Sequence, residues 1–258
     1  MNEDFWNKTY SQQTWDTDFP FPSKNFLSYM NFHLKVDTVN NRPCLLDFGC
    51  GTGASLVYAY KLGCNVIGVD VSKVALEESK ERLLLEQKVT NRNDEKERGF
   101  ALIHSKGIGD KQYSTYHSMG RSTMEKFINE DKLPFSGNSL PMENESVSYI
   151  NCDGVLYYLD EDYIDLLIQD FYRLLKPGGV LRIYTKSKND HYVSNGNEVK
   201  NNYYSIDEGY EKGMVLYICS TDLFVKKLKL FNKILVGYEN FSYVGTKNNA
   251  FDVFTCIK

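Results

Sequence analysis

Two short apolar runs, each followed by an aspartate, give the clearest pattern of hydrophobic and polar positions in the chain. They are Leu45-Leu46, before Asp47, and Val66–Val69, before Asp70, and a glycine-rich turn and a helix-compatible segment lie between them. Apolar runs of this kind are typical of strands buried on both faces of a sheet. The pattern therefore predicts a strand, a loop, a helix and a second strand.

An amphipathic segment follows the second strand. Ser72 is a typical N-cap residue, and Val74–Glu86 places its apolar positions among charged ones. Because a β-α-β crossover is almost always right-handed, these elements predict one half of a doubly wound α/β sheet.

The second half of the chain repeats strand and helix patterns. Residues 146–152 read as a strand, and the residues after it should face the ligand crevice at the carboxyl edge of the sheet. Apolar positions at helical spacing predict a helix that starts at Asp160 or Asp162 and ends at Lys176–Gly179. The later predictions are a strand over Val180–Tyr184, a helix capped by Thr221 or Asp222, and strands over Lys233–Gly237 and Phe251–Ile257.

Composition limits the class of protein. A chain of 258 residues with 42% hydrophobic and 25% charged residues is ordinary for one soluble α/β domain. The net charge of −4 makes nucleic acid an improbable partner. The first residues lack the pattern of a secretory signal, and no apolar run approaches the roughly 20 residues of a membrane helix. We therefore expect a cytoplasmic protein without a membrane partner.

Cysteine and histidine spacing predicts no metal site. The six cysteines form no C-x-x-C pair, which favours buried reduced thiols, and the four histidines lack metal-ligand spacing.

The turn after the first strand carries the most specific motif. Asp47 is followed by Gly49, Gly51 and Gly53, and Asp70 ends the next strand. Glycines let a ligand lie against the main chain, and an acid in that position can bind both hydroxyls of a ribose. The pattern predicts a nucleoside-containing cofactor.

The glycines alone leave two cofactor classes open. Gly49, Gly51 and Ala54 also satisfy the dinucleotide pattern G-x-G-x-x-A. Asp47 and Gly53 favour the other class, since an acid beside the loop would oppose a pyrophosphate.

The motif resembles D/E-x-G-x-G-x-G, motif I of the class I S-adenosylmethionine-dependent methyltransferases. The segment Leu174-Leu175-Lys176-Pro177-Gly178-Gly179, between a predicted helix and the next strand, resembles a second sequence motif of that family. The resemblance implies a doubly wound, mostly parallel seven-stranded sheet with a C-terminal antiparallel strand pair and helices on both faces. It also implies a cap segment over residues 1–42 and a cofactor-binding domain over 43–258, with insertions at about 87–132 and 185–213.

The third strand has two possible positions. It is either Phe100–His104 or a segment near Leu133–Phe135 that runs toward Pro141. The second position places Asn138 where the family phrase G-D-x-x-x-L-P has its acid.

The resemblance assigns the cofactor residues. It implies that Asp47 and the loop lie near the methionine moiety, Asp70 at the ribose and Val71 at the adenine. Tyr10 and Trp15 are candidate lid residues, because they lie in an N-terminal segment that opens with the pattern F-W-x-x-x-Y, similar to one that covers the cofactor in the family. The implied cofactor-binding set is Tyr10, Asp47, Gly49, Cys50, Gly51, Gly53, Asp70, Val71, Asn138 and Cys152, with no metal.

Candidates for a general base are His191, Tyr157 and Asp153. His191 lies in the predicted substrate loop, and an imidazole is the side chain most often used as a general base, while the other two follow the fourth strand. Tyr158, His104 and His117 are further options, and Tyr192, Tyr203, Tyr204 and Tyr210 could form an aromatic wall.

The expected activity is methyl transfer to an oxygen or nitrogen atom of a small polar metabolite, sugar derivative or natural-product intermediate. The sequence after the fourth strand, Asn151-Cys152-Asp153-Gly154, differs from the N-P-P-Y tetrapeptide of adenine-N6 and glutamine enzymes, and no Pro-Cys dipeptide exists for cytosine-C5 chemistry. The alternatives are a non-catalytic S-adenosylmethionine-binding subunit and an NAD-binding oxidoreductase.

Overall fold

The computed structural model describes residues 3–12, 21–33, 42–90, 98–105, 114–117, 139–209, 211–242 and 247–258. The strands are β1 (Cys44–Phe48), β2 (Asn65–Asp70), β3 (Phe100–His104), β4 (Ser114–His117), β5 (Val147–Asp153), β6 (Leu175–Lys186), β7 (Asn197–Lys200), β8 (Tyr203–Ser205), β9 (Val215–Tyr217), β10 (Lys233–Phe241) and β11 (Asn249–Ile257). The helices are α1 (Glu3–Gln12), α2 (Lys24–His33), α3 (Ala54–Lys61), α4 (Lys73–Thr90), α5 (Glu161–Leu174), α6 (His191–Asn195) and α7 (Thr221–Lys227).

The central sheet has the strand order β10-β11-β6-β5-β1-β2-β3-β4. Strand β1 pairs in parallel with β2 and β5, while β3 and β6 extend the parallel part on either side. Strand β11 runs antiparallel between β6 and β10. These seven strands confirm the expected sheet. Strand β4 adds an eighth, antiparallel to β3, which the sequence analysis did not predict.

Alternating side chains of β1 build a core on each face of the sheet. Leu46 lies in a cluster with Phe171 of α5 and Phe224 of α7, whereas Leu45 packs on the other face with residues of α2, α3 and α4. This alternation follows from the two-residue period of a strand. Helices therefore cover both faces, as expected.

The strand order reverses at β1, which has β2 on one side and β5 on the other. In open α/β sheets the ligand crevice lies at this point, outside the carboxyl ends of the strands. Residues that follow β1, β2 and β5 are therefore the ones that the fold brings together.

The structure decides the position of the third strand. Phe100–His104 pairs with β2 over its whole length, so the first of the two alternatives is confirmed. Residues 133–138, which carried the second alternative and the Asn138 prediction, lie outside the described residues.

The segment 185–213 is more regular than expected. It contains α6, β7 and β8, and the last two strands join β9 in a three-stranded antiparallel sheet. Tyr192, Tyr204 and Leu216 form a buried cluster within this unit. Because that cluster joins residues distant in the chain, a local reading of the segment missed it.

Serine hydroxyls cap α4 and α7. The Ser72 hydroxyl accepts a hydrogen bond from the backbone N–H of Ala75, which confirms the predicted cap of α4. At α7 the cap is Ser220, whose hydroxyl accepts from Leu223 N–H at 3.3 Å, and not Thr221 or Asp222. Within the described ranges, none of the helices combines the length and the apolar character that a membrane crossing requires.

Candidate functional site

The glycine loop after β1 is tightly packed against the turn after β5. Gly49 has φ +79°, a conformation that L side chains rarely adopt, and a Cβ there would lie 2.1 Å from Cγ2 of Val155. Gly53 has φ +83°, and its Cβ would lie 2.5 Å from the Ser79 hydroxyl oxygen of α4. These contacts explain why the loop uses glycine at both positions.

The backbone N–H groups of the loop are largely committed within the chain. Gly49 and Cys50 both donate to the carbonyl of Val69, at 2.7 and 3.1 Å, and Gly53 donates to the carbonyl of Cys50. Gly51 donates to the Asp70 carboxylate. A pyrophosphate would need such donors free. The loop therefore provides shape rather than an anion cradle, which disfavours the dinucleotide alternative.

Asp70 is held rigidly at the end of β2. Its Oδ2 accepts from Gly51 N–H and its Oδ1 from Ser72 N–H, both at 2.8 Å. Burial raises the pKa of Asp70, opposed by the backbone N–H groups around it. Since each carboxylate oxygen keeps a further lone pair, both can still accept from a ligand hydroxyl.

A buried polar network connects Asp47 of β1 with Asp153 at the end of β5. Asn151 donates to Asp47 Oδ1 at 2.7 Å, and Arg182 donates to Asn151 Oδ1 at 2.9 Å and to Asp153 Oδ2 at 3.1 Å. Burial raises the pKa of Asp47 to about 7, Asp153 and Asp70 add to the rise, and the Asn151 hydrogen bond and the Arg182 charge oppose it. Arg182 is 1% exposed, and its Nε and Nη2 have no partner among the described residues.

Helix α1 lies over the carboxyl edge of the sheet. Its Asn7 side chain accepts hydrogen bonds from the Ser72 hydroxyl, at 2.8 Å, and from Val74 N–H at the start of α4. Trp6 packs edge-on against Tyr158 with ring centroids 5.1 Å apart, and Tyr10 places its hydroxyl beside Gly51. The N-terminal helix thus adds aromatic side chains to the site.

These elements line a cavity that is partly open to solvent, and the empty space in it, open solvent included, is about 540 Å³. Residues at and after the ends of β2 and β3 form one end of the cavity, and the turn after β5 forms the other. Helix α1 covers both ends, because Asn7 binds Ser72 and Trp6 packs against Tyr158. The lining residues are Trp6, Tyr10, Phe48, Gly49, Val69, Asp70, Val71, Ser105, Asp153, Gly154, Val155 and Tyr158.

The predicted cofactor residues divide into two groups. Tyr10, Gly49, Asp70 and Val71 line the cavity. The others are packed behind it: burial raises the pKa of the Cys50 and Cys152 thiols well above the ordinary value, so both are neutral core groups. Asp47 is buried below the loop, while Gly51 donates to Asp70 and Gly53 packs against Ser79. Asn138 and Trp15 lie outside the described residues.

The three predicted bases are not brought together. Asp153 lines the cavity with its side chain 27% exposed. Tyr157 is 7% exposed and packs with Tyr192 and Tyr204. His191 lies at the start of α6, where its Nδ1 is 3.0 Å from the carbonyl oxygen of Asn248, and it does not line the cavity.

The remaining options are also spread over the molecule. His104 Nε2 is 3.0 Å from the Val71 carbonyl oxygen and 3.2 Å from the Glu3 carboxylate, and Tyr158 lines the cavity. His117 lies on β4 at the sheet edge. In the expected aromatic wall, Tyr192, Tyr203 and Tyr204 belong to the unit around the small sheet, and Tyr210 lies outside the described residues.

Several lining and supporting residues were missed by the sequence analysis. Trp6 lies one helical turn before Tyr10 on α1, so the i, i+4 spacing was a usable signal. Ser105 follows β3 and could be found only after that strand was placed. Arg182 and Glu211 carry no local signal, because their partners are distant in the chain.

A family comparison agrees with this geometry. Residues 26–216 match the model of the methyltransferase domain family, and the chain belongs to that family. No curated protein matches the chain.

Solved structures share the fold. An S-adenosylmethionine-dependent methyltransferase from Methanosarcina mazei is similar with a TM-score of 0.60 and 14% identity, covering 89% of this chain and 96% of that one. Phosphoethanolamine N-methyltransferase 2 of Haemonchus contortus, in complex with phosphomonomethylethanolamine and S-adenosylhomocysteine, gives 0.56 and 18%, covering 99% and 60%. Geranyl diphosphate C-methyltransferase of Streptomyces coelicolor gives 0.54 and 14%, covering 90% and 78%. The chain thus has the fold of the S-adenosylmethionine-dependent methyltransferases and is an enzyme of that class.

Proposed function

We propose that this protein transfers the methyl group of S-adenosylmethionine to an oxygen or nitrogen atom of a small polar acceptor. The observation that carries the proposal is one cavity with two kinds of lining. The immobilised Asp70 carboxylate lies among the lining residues of β2 and β3, which form the first end. Asp153 at the end of β5 and Tyr158 after it lie at the second end, and aromatic side chains of α1 cover both.

The first end fits the nucleoside part of the cofactor. Asp70 would accept from the ribose hydroxyls, while Val71 and Ser105 would border the adenine. Gly49 and Val155 pack against each other, and both line the cavity beside this end. We assign Asp47 a role behind the loop. Its pKa of about 7 leaves the carboxyl partly ionised near neutral pH, and the ionised form would favour the cofactor's ammonium group.

The second end would orient the acceptor. Trp6 and Tyr10 cover the cavity from α1, which limits water near the reacting atoms. Asp153 and Tyr158 are the polar side chains at this end that could hydrogen-bond an acceptor. When bound, S-adenosylmethionine supplies an electrophilic methyl group on sulfur, so the chain's own contribution is positioning, desolvation and proton removal.

The solved structures of the same fold support a small acceptor. Two neighbours of the same fold were crystallised with phosphomonomethylethanolamine and with geranyl diphosphate, which are small molecules.

Transfer of a radioactive methyl group tests the proposal. Purified protein is incubated with S-adenosyl-[methyl-³H]methionine and fractionated polar metabolite pools, with matched protein fractions as a second acceptor class. We expect label in a small-molecule fraction. Binding of S-adenosylhomocysteine without labelling of any fraction would instead support the non-catalytic subunit, and label in protein alone would exclude a small acceptor.

A further inference from the structure

We propose that Glu211 receives the acceptor's proton through Tyr158, so that Tyr158 is a catalytic residue and Glu211 a positioning residue behind it. This inference rests on the proposed methyl transfer. It starts from one contact: Tyr158 lines the cavity, and its hydroxyl donates to Glu211 Oε1 at 3.2 Å.

Glu211 is a buried carboxylate held by phenols. It is 9% exposed, and its Oε2 accepts a hydrogen bond from the Tyr192 hydroxyl. Among the described residues, no lysine or arginine forms an ion pair with it. Two lysines that lie over the rings of Tyr192 and Tyr204 have other partners: Lys186 pairs with Asp190 at 2.9 Å, and Lys188 donates to the Tyr204 hydroxyl at 2.6 Å. A carboxylate held only by neutral donors retains the capacity to take up a proton.

Tyr158 connects this carboxylate to the cavity. Burial raises the pKa of Tyr158, and Tyr157 and Glu211 raise it further. A free phenolate is therefore unfavourable, and Tyr158 cannot act as a base by itself. Its oxygen has acceptor lone pairs besides the proton that it donates. It can thus take a proton from one side while giving its own to Glu211 on the other.

The step balances in atoms and charge. The acceptor's O–H or N–H bond breaks as the new bond to the methyl carbon forms. That proton moves to the Tyr158 oxygen, and the Tyr158 proton moves to Glu211 Oε1. The electron pair of the broken carbon–sulfur bond stays on sulfur. One positive charge on the methyl donor and one negative charge on Glu211 are both removed.

A second tyrosine–glutamate pair offers a matched control. Tyr217 of β9 donates to Glu161 Oε1 at 2.8 Å, but Tyr217 does not line the cofactor cavity, and Glu161 pairs with Lys227 at 2.7 Å. The control pair has the same chemistry beside the same small sheet. The control pair differs in two respects: its tyrosine does not line the cofactor cavity, and its carboxylate is paired with a lysine.

The experiment compares Glu211→Gln and Tyr158→Phe with Glu161→Gln and Tyr217→Phe. The assay measures methyl transfer to the fraction that the wild type labels. We expect each of the first two variants to lower kcat about a hundredfold, with KM within about twofold, and the double variant to lose little more than either single one. The control variants keep the wild-type rate.

The pH profile separates proton transfer from a structural role. A pH dependence of the wild-type rate that comes from Glu211 should vanish in Glu211→Gln. In Tyr192→Phe, which lacks the phenol that donates to this carboxylate, the pH dependence should differ from that of the wild type. The other groups around Glu211 remain unchanged in that variant; they are Tyr157, Tyr158, Lys186, Lys188 and Asp190.

An infrared titration gives a readout independent of turnover. The carboxyl band that disappears in Glu211→Gln is followed against pH, and it should shift in Tyr158→Phe and Tyr192→Phe but not in the control variants. Should Glu211→Gln not fold, the changed pH dependence of the rate in Tyr192→Phe still decides the question. An unshifted band and a wild-type kcat in Tyr158→Phe overturn the relay alone, whereas a wild type that labels no fraction overturns the proposed function as well.

Discussion

Asp70 shows how a single residue can be prepared for a ligand before binding. Its two oxygens are already oriented by the backbone N–H groups of Gly51 and Ser72. A ligand hydroxyl therefore meets a carboxylate that has little freedom left to lose, and the contact should be correspondingly strong.

Replacement of this carboxylate tests the ribose assignment. Asp70→Ala should weaken binding of S-adenosylhomocysteine by about 1–3 kcal/mol, because charge-assisted hydrogen bonds are lost. Calorimetry measures the dissociation constant, with the exposed Asp207→Ala as the control. An unchanged dissociation constant in folded Asp70→Ala would remove Asp70 from the ribose site.

Asp47 predicts a pH-dependent effect on stability. Its pKa in the folded protein is about 7, against an ordinary value of 3.8. Between these values the folded state holds a proton that the unfolded state has lost, so the stability of the wild type falls as pH rises through this window.

Asp47→Asn should therefore gain stability relative to the wild type across the same window. The asparagine can still accept from Asn151 but never ionises. The difference in thermal midpoint should be larger at about pH 8 than at about pH 5. A difference that does not change with pH would show that burial does not hold the proton on Asp47.

At the scale of elements, the Asn7 side chain attaches helix α1 to the start of α4. The Asn7 Oδ1 accepts from the Ser72 hydroxyl and from Val74 N–H, while Trp6 and Tyr10 of the same helix cover the cavity. The attachment and the cover are thus separate functions of neighbouring residues.

Asn7→Ala should loosen this cover without altering the cavity lining. Loss of about 1 kcal/mol of hydrogen bonding should speed release of S-adenosylhomocysteine about fivefold. Stopped-flow fluorescence of Trp6 measures the release rate, and the exposed Lys8→Ala on the same helix is the control. Equal release rates in both variants would show that α1 does not gate the cavity.

Elements also show where the sequence was informative. The strand, glycine loop, helix and strand around Asp47 and Asp70 are contiguous, so their spacing in the chain predicts their geometry. The small sheet of β7, β8 and β9 was not predicted, because its buried tyrosines gain apolar partners only after the segment folds back.

The whole molecule repeats this contrast between local and long-range information. The doubly wound, mostly parallel sheet and its C-terminal antiparallel pair were predicted from apolar runs and a family resemblance. The network of Asn151 and Arg182 and the contact of Tyr158 with Glu211 join residues that are 31 and 53 positions apart. Such pairings arise from tertiary packing, and no pattern in a single sequence marks them.

For the whole molecule, the central claim is that the cavity binds S-adenosylmethionine and not NAD. The committed N–H groups of the glycine loop and the ribose-type acid belong to one cavity, and the match to the methyltransferase domain family covers residues 26–216. An NAD-binding enzyme would need those loop donors for a pyrophosphate.

Calorimetry of the wild type with S-adenosylhomocysteine and with NAD(H), under the same conditions, tests this most directly. The account predicts saturable one-site binding of S-adenosylhomocysteine and no measurable binding of NAD(H). Tight binding of NAD(H) without binding of S-adenosylhomocysteine would contradict it.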